Sequence, residues 1–445
     1  MAITKILIGW VLACVFAIDG LQAQDVAPTG GVKFTLLQCI EQAKLRNISI
    51  NTLRLSQQSA QQDLLASKAS KLPNLTGTAG QSASNGKSVN SFTANVQNQT
   101  YLTGSYAVSS SVTLYNGLYL NNDIKQKGLL VQSANLNILQ GENDITLQVT
   151  EAFLSILLAK ENIVYLKDLV NTSNAQVRQE VLLYNAGSIA KNDLVQMQAQ
   201  NATDNYNLVT EQNIYRQNVL TLKQLLLIPF DTSFDVSAPD SMDVQRMYPA
   251  LDIAVNTALQ SRPEVKNSQL GLQVARLDLE KARAGLLPTV TGSGSASSGY
   301  SSQSGEYFRQ LDNNFFQQLG LSLTVPIFSR RVPRTAVEKS KIAIAQSGLT
   351  LQNTKTVLSQ QVEQAYINVQ NAESQYDAAV ETLKAAQEGY RIANEQLKAG
   401  AVNTVQLLLE KNVYLQALQA YTQAKYNTVL YIKIYTFYMG DPVTL

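Results

Sequence analysis

Two runs of heptad-spaced residues, one in each half of the chain, set the strongest constraint on its fold. In the second half Val362, Val369, Tyr376, Leu383, Tyr390 and Leu397 recur every seven residues, interleaved with Leu358, Ala365, Ala372, Ala379, Ala386 and Ala393. A shift of 213 residues lands on the same pattern: Val149, Ile156, Ile163, Val170, Val177 and Tyr184, interleaved with Ile145, Ala152, Ala159, Leu166, Ser173 and Glu180. Alternating three- and four-residue spacing marks a coiled-coil seam, because an under-wound helix keeps one stripe facing a neighbour. No Pro interrupts either heptad run. The spacing predicts two long helices, over 117–185 and 330–397, each about 100 Å long at ~1.5 Å per residue. Both stop alike, at Asn185-Ala186-Gly187 and Lys398-Ala399-Gly400, as a C-terminal Gly stops a helix.

The regions before and after these helices also match. Residues 34–72 read as a helix, and 251–287 repeat it at a shift of 215 residues. Ala43/Ala258, Leu55/Leu270, Gln58/Gln273, Asp63/Asp278, Leu72/Leu287 and Pro73/Pro288 lie on one ungapped diagonal, the mark of an internal repeat. A return helix follows each Gly, over 190–228 and 403–438. The 445 residues therefore read as one elongated body built twice, 24–228 and 250–445, joined by a linker at 229–249 that holds Pro229, Pro239 and Pro249.

After Pro73 and Pro288 the texture changes. Residues 74–115 and 289–328 are rich in Ser, Thr, Gly, Asn and Tyr and nearly free of charge. A disordered Ser/Gly linker has that composition. Against it stands strict alternation: Leu102, Gly104, Tyr106, Val108, Ser110, Val112 and Leu114 alternate with Thr103, Ser105, Ala107, Ser109, Ser111 and Thr113. In the second segment Phe315, Leu319, Leu321, Leu323, Val325 and Ile327 alternate with Phe316, Gln318, Gly320, Ser322 and Thr324. Period-2 alternation suits strands with one face to lipid and one to a watery lumen. Each segment is expected to be a hairpin of two strands, with Asn85-Gly86-Lys87 and Ser304-Gly305-Glu306 in the loops. The lipid-facing set is Tyr106, Val108, Val112, Leu319, Leu321, Leu323 and Val325. Basic residues flank the hairpins, including Lys68, Lys71, Lys125, Lys127, Lys281, Arg283, Arg330, Arg331 and Arg334, and suit a bilayer interface or an ordinary solvated helix end.

Four strands leave two open edges, and lipid cannot satisfy exposed backbone groups. Membrane barrels need eight or more strands, so several copies of the chain must close one. The rival is a secreted coiled-coil structural or adhesive protein with unstructured Ser/Gly segments. An enzyme has no site here: there is no His, no Cys/His cluster and no Gly-rich phosphate loop. No cofactor is implied. A net charge of +2 gives no basic patch for nucleic acid.

Residues 1–23 read as a secretory signal, with Lys5, an apolar run from Ile6 to Ile18, and cleavage after Ala23. The alternative is lipidation of Cys14, which follows the weak lipobox Val11-Leu12-Ala13. Cys39, in a helical pattern, reads as a buried free thiol.

With these features in order, the chain resembles the TolC-like outer-membrane efflux proteins. The resemblance spans nearly the whole mature chain and rests on the twofold repeat, Ser261-Arg262-Pro263-Glu264-Val265, Ala282-Arg283-Ala284-Gly285-Leu286-Leu287-Pro288, Leu321-Ser322-Leu323-Thr324-Val325-Pro326-Ile327-Phe328 and Tyr184-Asn185-Ala186-Gly187. It implies a homotrimer in the Gram-negative outer membrane. Twelve strands, four per chain, would form one β-barrel continuous with a long periplasmic tunnel of α-helical hairpins. It further implies passive export of substrates handed over by an inner-membrane RND or ABC transporter through a periplasmic adaptor (membrane fusion) protein, in a tripartite efflux or type I secretion system. The tips that meet the adaptor would be Ala186, Gly187 and Ser188 with Ala399, Gly400 and Ala401. In well-known members the second-copy hairpin carries acidic residues that ring the pore constriction. Here those positions hold Gln406 and Leu409, while the first copy holds Lys191 and Asp193. These four are the expected constriction residues.

Overall fold

Each long heptad run forms one unbroken helix that crosses two layers of shorter partners. The computed structural model describes residues 33–89, 96–229, 231–238, 246–303 and 305–444. Cys14, the segment read as a signal and Pro239 of the linker lie outside the described residues. In chain order the elements are β1 (Lys33–Phe34), α1 (Leu36–Arg46), α2 (Ile48–Ala69), β2 (Thr76–Val89), β3 (Val96–Asn116), α3 (Tyr119–Asn185) and α4 (Lys191–Leu226). They continue with β4 (Asp235–Val236), α5 (Leu251–Ser261), α6 (Pro263–Ala284), β5 (Thr289–Ser301), α7 (Tyr307–Asn313), β6 (Phe316–Thr324), α8 (Val332–Lys398) and α9 (Thr404–Tyr438). Among these elements no helix is long and apolar enough to cross a membrane.

The helix expected over 34–72 is two helices, and so is its counterpart. Asn47 ends α1 and caps α2, its Oδ1 accepting from the backbone N–H of Ser49 at 2.9 Å and of Ile50 at 3.3 Å. In the second half Arg262 stands between α5 and α6 in extended conformation, and Pro263 opens α6. Pro disfavours helical backbone at the residue before it, and its missing N–H costs nothing at a helix start.

α3 and α8, 67 residues each, are the long members of a four-helix-wide wall. Near the sheet the order of neighbours is α2, α3, α6, α8; farther away it is α4, α3, α9, α8. Every residue of the seam running from Ile145 to Glu180 is buried, and so is every residue of the seam from Leu358 to Ala393. The second seam fades along each helix. Val362 and Val369 are buried, whereas Tyr376, Leu383, Tyr390 and Leu397 are half-buried. Tyr376 and Tyr390 meet Tyr421 and Tyr414 of α9 with ring centroids 5.7 and 5.6 Å apart.

Polar pairs lock the wall across its width. At the sheet end Lys281 of α6 donates to Asp123 Oδ1 (2.8 Å) and Gln126 Oε1 (2.6 Å) of α3, and Ser67 of α2 donates to Asp123 Oδ2 (2.6 Å). Lys281 therefore turns into the wall instead of reaching for a bilayer surface. Burial pushes the Asp123 carboxyl up, but the hydrogen bonds from Lys281 and Ser67 outweigh it and hold the carboxyl below its ordinary range. At mid-wall Tyr248, Tyr366 and Tyr435 form an aromatic triangle, and Tyr435 donates to the Pro249 carbonyl at 2.9 Å. This pins the end of the 229–249 segment to α8 and α9. Its other half holds β4, which pairs in parallel with β1.

Farther from the sheet, Lys411 of α9 and Asp204 of α4 form an ion pair at 3.0 Å with both side chains 0% exposed. Gln200 donates to the other Asp204 oxygen at 2.8 Å. Removing one partner of a buried pair strands a charge in a low-dielectric setting. Lys411→Met is thus expected to lower the unfolding free energy of the detergent-solubilised protein by about 3 kcal/mol. The double variant Lys411→Met with Asp204→Leu should recover most of that loss in thermal unfolding. Equal melting of the single and double variants would contradict this account.

Candidate channel site

The sheet carries the first part of the site. Its four strands run in the order β2-β3-β5-β6, all antiparallel, so β2 and β6 each have a partner on one side only. The register gathers most of the large aliphatic side chains on one face, which also carries Gln81, Ser110 and Gln317, while Phe316 stands on the other. Val108 pairs with Gly77 and Ala296, Tyr106 with Ala79 and Ser298, and Val112 with Gly292. Gly292, Gly294 and Val290 pair in turn with Leu321, Leu319 and Leu323. Paired residues share a face. Tyr106, Val108, Val112, Leu319, Leu321 and Leu323 therefore stand on one side, and Leu319 is 92% exposed there. The other side carries Thr78, Ser82, Thr103, Ser105, Ser109, Ser111, Thr291, Ser293, Ser295 and Ser322. Val325 lies one residue past the end of β6.

One expected loop is strand. Asn85, Gly86 and Lys87 pair with Thr100, Gln99 and Asn98, carrying the β2-β3 hairpin well beyond β5 and β6. Of the other expected loop, Ser304 lies outside the described residues, while Gly305 and Glu306 do lie between strands, followed by the short helix α7. At the opposite end of the sheet the chain swivels into each long helix through left-handed backbone. Gly117 (φ 65°) and Leu118 (φ 67°) precede α3, and Arg330 (φ 45°) and Arg331 (φ 63°) precede α8. Gly117 is required: a Cβ there would lie 2.9 Å from Leu287 Cβ and 3.0 Å from the Ala284 backbone.

The hairpin tips carry the second part. Both helices end in the same hydrogen-bonded reversal. Gly187 (φ 74°) follows Ala186, and the Ser188 N–H donates to the Leu183 carbonyl at 2.8 Å. Gly400 (φ 71°) follows Ala399, and the Ala401 N–H donates to the Gln396 carbonyl at 2.9 Å. This is the Schellman closure, which needs left-handed backbone at the Gly. Ala186, Gly187, Ser188, Ala399, Gly400 and Ala401 are all exposed.

Just behind the tips the four expected constriction residues occupy the first turn of α4 and the first two turns of α9. Lys191 is exposed and Asp193 half-buried. Gln406 is exposed, with its N–H capped by Asn403 Oδ1 at 3.0 Å and its amide donating to Glu410 at 3.2 Å. Leu409 is 55% exposed. Glu410 thus places a carboxylate one turn beyond Gln406. Glu180 occupies a heptad seam position of α3, and the spacing alone assigns it no further role. It is buried, touches Thr404 of the other hairpin at 3.5 Å, and leaves its Oε2 without a partner. Burial pushes its carboxyl up, Thr404 pulls it partly back, and Asp193 adds to the rise. The signal in the sequence was a Glu at a position that the second helix fills with Ala393.

A two-faced sheet with open edges, continuous with a wall of helices about 100 Å long, has the layout of a strand region suited to a bilayer standing on an extramembrane helical wall. The model of the outer membrane efflux protein family matches residues 39–226 and 254–430, and the chain belongs to that family: it is an outer-membrane export channel. It is 20% identical over 404 residues to the outer membrane efflux protein BepC of Brucella suis biovar 1, covering 89% of this chain and 83% of that one. It is 22% identical over 411 residues to the outer membrane protein TolC of Escherichia coli, covering 89% and 80%. Among solved structures it resembles the transmembrane channel CusC, with a TM-score of 0.81, 16% identity and coverage of 94% and 96%.

The raised Glu180 carboxyl makes a pH prediction. A folded-state value above the ordinary 4.5 means that the folded form binds the proton more tightly. Stability then falls as pH rises from 4.5 through the folded value and is flat above it. Glu180→Gln should raise the melting temperature at neutral pH and flatten this slope. Parent and variant melting in parallel across the range would contradict it.

Proposed function

We propose that three copies of the chain close their sheets into one twelve-stranded barrel, and their helical walls into one tunnel below it. The observation that carries this reading is the sheet itself: two unpaired edges, one aliphatic face and one Ser/Thr face. In a bilayer such a sheet is stable only if each β6 pairs with the β2 of the next copy. The aliphatic face, with Tyr106, Val108, Val112, Leu319, Leu321, Leu323 and Val325, then meets lipid, and the Ser/Thr face lines a wet lumen. The half-buried seam of Tyr376, Leu383, Tyr390 and Leu397 is completed by the same closure. The repeat read from the sequence supplies two hairpins per copy, hence six tips around one mouth.

The exposed tips at Ala186 to Ser188 and Ala399 to Ala401 are the surface for a periplasmic adaptor, through which an inner-membrane RND or ABC transporter delivers its substrate. Small side chains and fixed Gly turns give a partner close access to backbone there. The constriction is formed by Lys191, Asp193, Gln406 and Leu409, with Glu410 adding charge beside Gln406. The family is one of channels, so the chain acts as a conduit, and substrate choice rests with the transporter.

The constriction is tested by conductance of the assembled protein in a planar bilayer. Asp193→Ala and Gln406→Ala are each expected to raise conductance, and Asp193→Ala to lower cation selectivity. If both leave conductance and selectivity unchanged, the assignment is wrong.

A further inference from the structure

The short helix between β5 and β6 is placed where the proposed barrel needs an anchor, and not where it needs a lid. α7 is held to the sheet by four hydrogen bonds. Ser298 Oγ donates to the Leu311 carbonyl at 2.6 Å, the Ser301 N–H to Gln310 Oε1 at 2.8 Å, Asn314 Nδ2 to the Gly299 carbonyl at 2.7 Å, and Tyr307 OH to Tyr106 OH at 3.1 Å. Gln310 is buried and also donates to the Gly305 carbonyl at 2.8 Å, which ties the helix to its own entry turn. Ser298 and Tyr106 are cross-strand partners on the aliphatic face. The helix therefore rests on the side away from the Ser/Thr face.

Aromatic rings gather around it at one level. Tyr300 meets Tyr307 edge-on at 4.6 Å, and Tyr307 meets Phe308 at 5.2 Å. The Tyr300 ring lies directly over Gly104, whose missing side chain leaves it room. Tyr106 stands in the adjacent row of the same face, and Phe315, just before β6, lines the same depression as Tyr106 and Ser298. Phe308, at the edge of this cluster, is 82% exposed. At the other end of the face, Tyr115 pairs with Val290. From Val290 to Ser298 the strand rises roughly 27 Å at ~3.4 Å per residue. With the usual strand tilt that is about 20 Å along the normal, close to the apolar band of an outer-membrane barrel. Beyond the upper row the β2-β3 hairpin continues alone and carries polar residues, among them Asn85, Lys87, Asn98 and Thr100.

We propose that α7 lies in the outer leaflet's interface on the outside of the barrel, with Phe308 inserted among the lipids below the headgroups, and that it fixes the depth at which the barrel sits. The occupant of this surface is membrane lipid, as the helix continues an aliphatic face and its rings sit at the rim of that face. Aromatic side chains favour this level because one end is apolar and the other can be wet. The proposal rests on the lipid-facing reading of the sheet. It also means that α7 does not close the lumen.

The test uses the chain's lack of Trp beyond Trp10, which lies in the segment read as a signal. Phe308→Trp and, separately, Leu321→Trp are placed in the full chain and reconstituted into phosphatidylcholine vesicles brominated high on the acyl chain. Phe308→Trp is expected to give blue-shifted emission that bromination quenches and that aqueous acrylamide quenches weakly. Quenching of Leu321→Trp with acrylamide-accessible, bromine-insensitive emission from Phe308→Trp overturns the anchor and leaves the sheet reading intact. Absence of bromine quenching in both overturns the sheet reading as well. If Phe308→Trp fails to insert, Phe308→Cys carrying a nitroxide reads the same position, because Cys39 is 0% exposed. Greater collision with a water-soluble relaxant than with oxygen then rejects the anchor.

Discussion

Backbone hydrogen bonding in lipid is the constraint on which the rest of this structure depends. A bilayer offers no partner to a strand edge, so a sheet that enters it must have none. The chain brings four strands and leaves the outer edges of β2 and β6 open. Below the sheet the helices continue the direction of the strands as one wall. α3 and α8 leave the sheet through paired left-handed residues, and both run the full length of the wall. Their shared length fixes the wall's height in both halves.

Within the wall, the two seams divide the work. The seam that includes Ala365, Ala372, Ala379, Ala386 and Ala393 is satisfied inside one chain, where small side chains let helices approach closely. The other seam starts buried at Val362 and ends half-covered at Leu397. The proposed closure between copies would cover this fading seam. Near the tips the wall turns polar. The buried Lys411–Asp204 ion pair and the contact of Glu180 with Thr404 add polar links between the two hairpins beside buried Leu194, Met197 and Leu407.

The sequence carried the periodic features well, because heptads, alternation and Gly stops are local signals. The seams, both tips and the one-sided faces of β3 and β6 were all legible from spacing. Several features were not legible, among them the helix breaks at Asn47 and Arg262, the helix α7 and the buried Glu180. The break between α5 and α6 had a signal in Pro263, which the continuous helical pattern across it concealed. Asn85-Gly86 has the composition of a tight turn, yet pairing with Gln99 and Thr100 carries it through as strand, since cross-strand hydrogen bonds outweigh a local turn preference. The interlocks were invisible for a different reason. Lys281 and Asp123 are 158 residues apart, and Lys411 and Asp204 are 207 apart, so no local pattern links them.

The central claim is that the open edges of the sheet close between copies. Native mass spectrometry of the full chain released from detergent micelles measures this directly. The account predicts a single species with the mass of three chains, which converts to monomer only when the sheet unfolds. A stable monomer that retains its β-sheet spectrum in a lipid-like environment would contradict it.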